Sequence, residues 1–490
     1  MRTPSSGYFK VPAWSWDQGV ALLLLLLFAV ALVAQSGLLP ADEWMYAAMA
    51  RMVGAGSTPY RDFFFSHPPL QLVPVVHLDF VLPTSVYAAK LLPICASLTT
   101  AVLLYFTARP WSRVAGLTAL GLWITSDTVL AGGGQFTGLC EGVLLLTVAI
   151  AAAARGRERT AGVAVALCVG TSTLVGAVAV VWLAALCLLG GRRWWPAAAW
   201  CLAFLAGFWL LCLAVFGFAF FDQVYLSPLG RPSEFETASR WTRIFAPQIL
   251  SHFAWLPAIA LGLLATAWRR APLPDDARQQ LPALALAAAF ALTILALFGS
   301  VHAYYMAIAL PLFALLAAAG VHVAFELGAT HRIARTALLA TLLTLFVLQL
   351  PTTAGRLQLR VTHTIDVSAR VRATARALRG MLKREARILG DSNLAPLLSL
   401  EIPRPLWHRM ADTNTKRFRD DDIARAEFLG SLVADPPEVL VLLDRHGLAL
   451  MPEMREFAQS AYPKPWLFEL SGVDRVLVFA RPEAVEKAPR

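Results

Sequence analysis

Charge is what this chain has least of. Of its 490 residues only 15% are Asp, Glu, Lys or Arg, 58% are hydrophobic, and mean hydropathy is +0.60. A soluble globular protein carries about a quarter charged residues, so the composition points instead to an integral membrane protein with many spans. Cysteine is also sparse. Cys95, Cys140, Cys168, Cys187, Cys201 and Cys212 all lie in or beside apolar runs, with no Cys-x-x-Cys pair. That excludes a disulfide framework or a zinc-ribbon pattern and makes the thiols small buried hydrophobes. Acids are fewer than bases, 32 against 42, giving a net charge of +10. The bases punctuate apolar runs rather than forming a stripe, as positive-inside loops do, so nucleic acid is excluded as a partner.

Apolar runs dominate. A bilayer crossing needs about 20 apolar residues, and such runs sit near 18–39, 85–107, 114–131, 137–154, 194–217, 246–268, 281–299, 303–325 and 334–352. The first run resembles a signal peptide at its start but continues to span length, so an uncleaved first span is expected. The stretch 160–190 is long for one crossing and short for two, with a break at Thr171-Ser172-Thr173. Basic clusters at Arg109/Arg113, Arg155/Arg157/Arg159, Arg192/Arg193, Arg269/Arg270 and Arg332/Arg335 all fall on the cytoplasmic side if 160–190 crosses twice. The expected fold is therefore an α-helical polytopic membrane protein of about 11 transmembrane helices. Residues 1–352 form the membrane module, with outer loops 40–84 and 217–245, and residues 353–490 form a soluble extracytoplasmic α/β domain. In that last part strand patterns occur at 386–390, 438–443, 466–469 and 475–480, with helical stretches between them.

Chemistry concentrates in the first outer loop, LPADEWMYAAMARMVGAGSTPYRDFFFSHPPL from Leu39 to Leu70. Asp42 and Glu43 open a helical pattern that ends at Gly54 and Gly56. A carboxylate at a helix N-terminus stays ionised and can take a proton from a hydroxyl. Asp42 therefore fits two roles, helix cap and general base. Tyr46 shares its face, whereas Glu43 points about 100° away. His67, before Pro68-Pro69, suits a phosphate contact, a metal or a plain interfacial turn. Arg61 and Asp62 read equally as a local surface pair. Asp127 and Glu141 flank a glycine-rich turn near membrane depth, where an ionisable group is costly and commonly functional. The loop from Phe221 through Tyr225 to Arg231, Arg240 and Arg243 fits either a lid or an interfacial anchor. Gly390-Asp391 closes a strand before a helix, which alone is a weak pointer to a ligand.

These motifs resemble the membrane glycosyltransferases of the GT-C superfamily, in particular the bacterial relatives of dolichyl-phosphate-mannose–protein mannosyltransferases (glycosyltransferase family 39-like). The resemblance rests on Asp42-Glu43-Trp-Met-Tyr46, Tyr60-Arg-Asp62-Phe63, His67-Pro68-Pro69-Leu70 and the later Gly299-Ser-Val-His302-Ala-Tyr304-Tyr305. It covers roughly 15–350 in architecture and mainly 39–70 in motif detail. It implies an inverting hexosyl- or pentosyltransferase. A monosaccharide would pass from a polyprenyl-phosphate donor to an envelope lipid, glycan or protein at the outer face of the cytoplasmic membrane. Asp42 would be the base, with Glu43 beside it. A phosphate leaving group needs positive charge or hydrogen-bond donors, and Arg61, His67, Lys90, Arg231, Arg240, Arg243, His302, Tyr304 and Tyr305 are the candidates. Tyr46, Tyr60, Asp62, Asp127 and Glu141 are further polar positions. Several members carry Glu-Lys where this chain has Ser66-His67, so no metal ligand is assigned and a divalent metal stays open.

Two other classes compete. A lipid or glycan transporter should carry charged or broken helices at mid-bilayer in matching halves, but here the polar residues collect at outer span ends. A non-catalytic envelope assembly protein would leave the first loop chemically inert. Topology has a direct test: a reporter active only in the cytoplasm, fused after Arg490, is expected to be silent, and a phosphatase active only outside is expected to work.

Overall fold

The computed structural model describes residues 15–39, 42–74, 76, 88–227, 253–267, 271–297, 303–328, 332–391, 394–401, 405–407, 422–444, 447–470 and 475–486. Helix α1 (Trp16–Ala34) begins at Ser15, whose side chain and that of Gln18 cap one another's backbone. Then follow α2 (Asp42–Gly54), α3 (Ala88–Ala108), α4 (Arg113–Thr125), the short α5 (Asp127–Gly132), α6 (Leu139–Ala154), α7 (Glu158–Thr171) and α8 (Thr173–Gly190). The break in 160–190 is real, since α7 and α8 meet at an extended Ser172. Helices α9 (Trp195–Phe216), α10 (Leu256–Ala267), α11 (Asp275–Leu297) and α12 (Leu310–Leu327) complete the apolar set.

Among the described residues six helices are long and apolar enough to cross a bilayer, and α4, α6 and α10 are shorter apolar helices. Leucines and valines point outward from α1 (Leu23, Leu26, Leu27, Val30, Val33) and from α9 (Leu202, Leu210, Leu211). Such a coat is stable only in lipid, and the chain is a multi-pass membrane protein. Inside, α10 and α12 cross so closely that a Cβ on Gly262 would sit 1.9 Å from the Leu316 carbonyl oxygen, and one on Gly320 2.1 Å from that of Ala258. Small residues at this crossing replace the hydrophobic drive that lipid removes. At the start of α1 the fully buried Asp17 accepts from Arg109 Nε and Tyr105 Oη, both at 2.7 Å, tying α1 to the end of α3.

Helix α13 (Arg332–Met381) is one uninterrupted element of 50 residues, where the apolar run 334–352 was expected to end as a span of its own. It runs through Pro351 and reaches about 75 Å at 1.5 Å per residue, more than twice the hydrocarbon thickness of a bilayer. It delivers the chain to a four-stranded sheet of order β1-β2-β4-β3: β1 (Ile388–Gly390), β2 (Val439–Leu443), β3 (Trp466–Glu469) and β4 (Arg475–Ala480). β1 and β2 are parallel, with Leu389 opposite Leu440; β4 runs antiparallel to β2 and β3. Asp391 accepts from the Leu443 and Leu448 amides at 2.7 and 2.6 Å and so ties the end of β1 to the turn after β2. Helices α14 (Ala395–Glu401), α15 (Asp422–Ala434) and α16 (Pro452–Ala461) surround the sheet.

Ahead of β1, Arg387 grips Asp435 and Glu438 together, with its Nη2 2.7 Å from Glu438 Oε1 and its Nη1 2.8 Å from Asp435 Oδ2. Burial raises the Glu438 pKa, but the Arg387 bonds outweigh it and hold the carboxyl below its ordinary 4.5. An acid depressed on folding stabilises above its unfolded pKa and loses that contribution as pH falls through the folded one. Protection factors of the β1 and β2 amides in the full chain, corrected for intrinsic exchange, should therefore fall as pH drops below about 4.5. E438Q should cost about 1.5–3 kcal/mol of protection at neutral pH, as loss of a charged hydrogen-bond partner does, and flatten that acid response.

Candidate active site

The first loop is built from the inside of α2 outward. Every residue from Glu43 to Ala50 is buried, although the helix opens on two acids. One apolar cluster explains this: Trp44, Met45, Tyr46 and Met49 share it with Phe65, with Val371 and Leu378 of α13, with Leu397 and Leu398 of α14, and with Val441 and Val478 of the sheet. Helix α14 packs directly on α2, and the Leu38 amide donates to Ser368 Oγ of α13 at 2.8 Å.

Two tyrosines fix His67. Tyr46 Oη lies 2.8 Å from His67 Nε2, and Tyr60 Oη donates to the His67 carbonyl oxygen at 2.7 Å. Tyr60 takes a left-handed backbone, φ +66°, which is rare for a non-glycine residue and is sustained only by surrounding contacts. Gln223 supplies them: its Nε2 donates to the Tyr60 carbonyl at 2.8 Å and its Oε1 accepts from the Phe65 amide at 2.9 Å. It stands in a π-helical turn, Asp222–Leu226, that follows α9. Burial pushes the Tyr60 phenol well above its usual range. Phe65 and Phe136 meet Tyr46 edge-on.

Asp42 and Glu43 face different surroundings. Asp42, half-buried, lies one turn before Tyr46, and both are within electrostatic reach of Tyr304. The Tyr304 and Tyr305 rings stack at 4.7 Å between centroids, and Tyr304 packs against Gly132. Tyr46 thus meets His67 on the face of α2 that Asp42 shares. Glu43 turns the other way and meets Lys90 of α3 at 2.5 Å, with Lys90 lying 5.2 Å from the Trp44 ring centroid. Burial pushes the Glu43 carboxyl up, against the pull of Lys90.

The remaining candidates divide clearly. Arg61 and Asp62 form an exposed pair at 2.9 Å, and Arg61, with the Thr58 amide, holds Asp62 at about 2. Asp127 pairs with two arginines of α13, Arg360 at 2.8 Å and Arg356 at 3.3 Å. Glu141 is buried, and among the described residues neither of its carboxylate oxygens has a hydrogen bond; the same is true of the amide of Gln71, which lies against Gly138 at the start of α6. Arg231, Arg240, Arg243 and His302 lie outside the described residues, as does most of the 217–245 loop. Among the described residues no cluster of three or more His, Cys, Asp and Glu side chains could hold a metal ion. Gln223, Arg356, Arg360 and Phe136 were not legible as site residues. Only the i, i+4 spacing of the two arginines hinted at a shared helix face, and nothing in sequence pointed to Asp127 as their partner.

Beside the Glu43–Lys90 pair is a cavity of about 210 Å³, lined by Leu32, Gln35, Glu43, Gln135, Arg360 and His363 among others.

No family model matches this chain, and no curated protein sequence matches it. Solved structures do. ArnT from Cupriavidus metallidurans in the apo state aligns over 95% of this chain and 98% of its own, with TM-score 0.67 at 14% identity. The same protein bound to undecaprenyl phosphate aligns over 96% and 99%, with TM-score 0.67 at 13% identity. The arabinofuranosyltransferase AftD from Mycobacteria aligns over 95% of this chain and 40% of its own, with TM-score 0.51 at 16% identity. Over 95% of its length, then, this chain has the GT-C fold of membrane glycosyltransferases.

Proposed function

We propose that the protein is an inverting glycosyltransferase that moves a monosaccharide from a polyprenyl-phosphate donor to an envelope acceptor at the outer face of the cytoplasmic membrane. The observation that carries this reading is the Tyr46–His67 contact on the face of α2 that Asp42 shares. It is supported by a fold shared over 96% of the chain with a protein solved with undecaprenyl phosphate.

Asp42 is the base. As an acceptor hydroxyl attacks the anomeric carbon, its proton passes to the Asp42 carboxylate, and the bond from that carbon to the phosphate oxygen breaks on the opposite face. The electron pair leaves with the lipid phosphate, which needs no protonation, so one carboxylate suffices where a glycosidase uses two. The leaving phosphate gains charge and calls for fixed donors. His67, oriented through Tyr46 and Tyr60, and the Tyr304–Tyr305 pair are placed to supply them. Lys90 serves Glu43, and Arg61 serves Asp62. Those two cations support the loop, and neither contacts the donor in this reading.

D42N is expected to lower turnover about 10²–10⁴-fold, the usual worth of a general base, while leaving polyprenyl-phosphate affinity within a factor of about two. Envelope glycan profiles of a strain carrying D42N, with purified protein assayed for lipid binding, check this. Wild-type profiles from a normally expressed D42N would remove Asp42 from the chemistry. Y46F, which releases the His67 ring, should reduce turnover about tenfold, a hydrogen bond's worth.

A further inference from the structure

The apolar coat of α1 runs out beside the 210 Å³ cavity. Leucine and valine side chains are exposed along that helix as far as Val33, and the cavity opens at Leu32 and Gln35, where the helix ends. Helix α13 changes character in the same way. Leu343, Val347, Leu348 and Leu350 are exposed, and Arg356, Arg360 and His363 follow, the last two lining the cavity. The cavity therefore lies where lipid-facing surface gives way to polar side chains, which is headgroup level in a bilayer.

Arg356, Arg360 and His363 stand four and three residues apart on one stripe of α13. Both arginines meet a single acid: Arg360 Nη2 lies 2.8 Å from Asp127 Oδ1, and Arg356 Nη1 lies 3.3 Å from Oδ2. One carboxylate balances one guanidinium, so the group keeps a positive charge. The Asp127 side chain is 10% exposed, against 30% for Arg360 and 40% for Arg356, so the surplus lies on the open side. Neighbouring acids do not absorb it. Glu43 accepts from Lys90 and from the Phe136 backbone, Asp366 pairs with Arg370 at 3.3 Å, and Asp42 occupies another face of α2. Arg360 gives Nη1 to the Asp127 carbonyl oxygen at 3.0 Å, and a guanidinium has further donors to offer. The carboxamides of Gln35 and Gln135 and the Thr364 hydroxyl add to them around the cavity. Surplus positive charge among many donors suits a phosphate, whose oxygens accept from several sides at once.

We propose that this cavity holds the phosphate of an anionic membrane phospholipid, with Arg360 and Arg356 as its cationic clamp and Gln35 and Gln135 as neutral donors. The exposed leucines of α1 and α13 are the surface along which its acyl chains run. A basic recess between spans at headgroup depth is a setting in which anionic lipids are held. The assignment stands apart from the glycosyltransferase reading, because it concerns the other side of α2 and needs no turnover.

Dihexanoyl-phosphatidylglycerol titrated calorimetrically into the full chain in neutral detergent tests this. Saturable binding is expected, at least tenfold tighter than that of dihexanoyl-phosphatidylcholine. R356Q removes the surplus charge while leaving Asp127 paired with Arg360, and should weaken binding tenfold or more with melting temperature preserved. R356K, which restores the charge, should recover most of it. Ala131→Phe, which fills the cavity from its wall, should also weaken it. Absence of saturable binding, equal affinity for the two lipids, or undiminished binding in both R356Q and Ala131→Phe would overturn the site. Displacement by equimolar inorganic phosphate would make it a site for free phosphate, and stronger binding of a short polyprenyl phosphate in competition would give it to that lipid; either overturns the phospholipid assignment. The general-base reading is scored separately, by the glycan profiles of D42N.

Discussion

Helix α2 depends on apolar burial more than on any polar contact. It is only 13 residues long, too short to be stable by its own hydrogen bonds in water. The side chains of Trp44, Met45 and Met49 supply the remainder, at about 1.5–3 kcal/mol each when fully buried. Their partners come from α13, α14 and the sheet as much as from the spans. The helix that presents Asp42 is therefore set in place from the end of the chain. The last third of the molecule is part of the site's framework and not an appendage to it.

Buried charge follows the same plan. Asp17 joins α1 to α3, Glu43 joins α2 to α3, and Asp127 joins α5 to α13. Each pair links elements far apart in sequence, in surroundings where a lone charge would cost several kcal/mol. Such pairs add little net stability compared with apolar replacements, but they tolerate only one register of the helices they join. In a bundle of nearly featureless alanine- and leucine-rich faces, that selectivity matters, because apolar packing alone permits many rotations of a helix about its axis.

Much of this architecture was legible in the sequence. Six span-length apolar helices among the described residues, the break at Ser172, α2 with its glycine stop, and all four strands sit where periodicity and turn residues put them; the runs 114–131 and 137–154 give helices shorter than a span. Those signals are local, and local signals survive translation into structure. The contact of Tyr46 with His67 is local as well, because both lie within one loop. What could not be read was partnership at a distance. Lys90 stood out as a cation, but nothing local said that it belongs to Glu43; Asp127 stood out as an acid, but its arginines are more than 220 residues further on. The continuity of α13 was missed for a different reason. Its composition changes from apolar to polar where it leaves the spans, and a change of solvent was read as a change of element.

A single carboxamide, that of Gln223, joins the turn after α9 to the first loop, and it uses both of its ends. Its amino group serves the Tyr60 carbonyl and its oxygen serves the Phe65 amide. A carboxylate would offer two acceptors and a lysine only donors, so no charged side chain could satisfy both strands of the loop at once. Tyr60 in turn carries the His67 carbonyl. The position of the π-helical turn Asp222–Leu226 is thus tied through one amide plane to the backbone of Tyr60, and through the Tyr60 hydroxyl to that of His67.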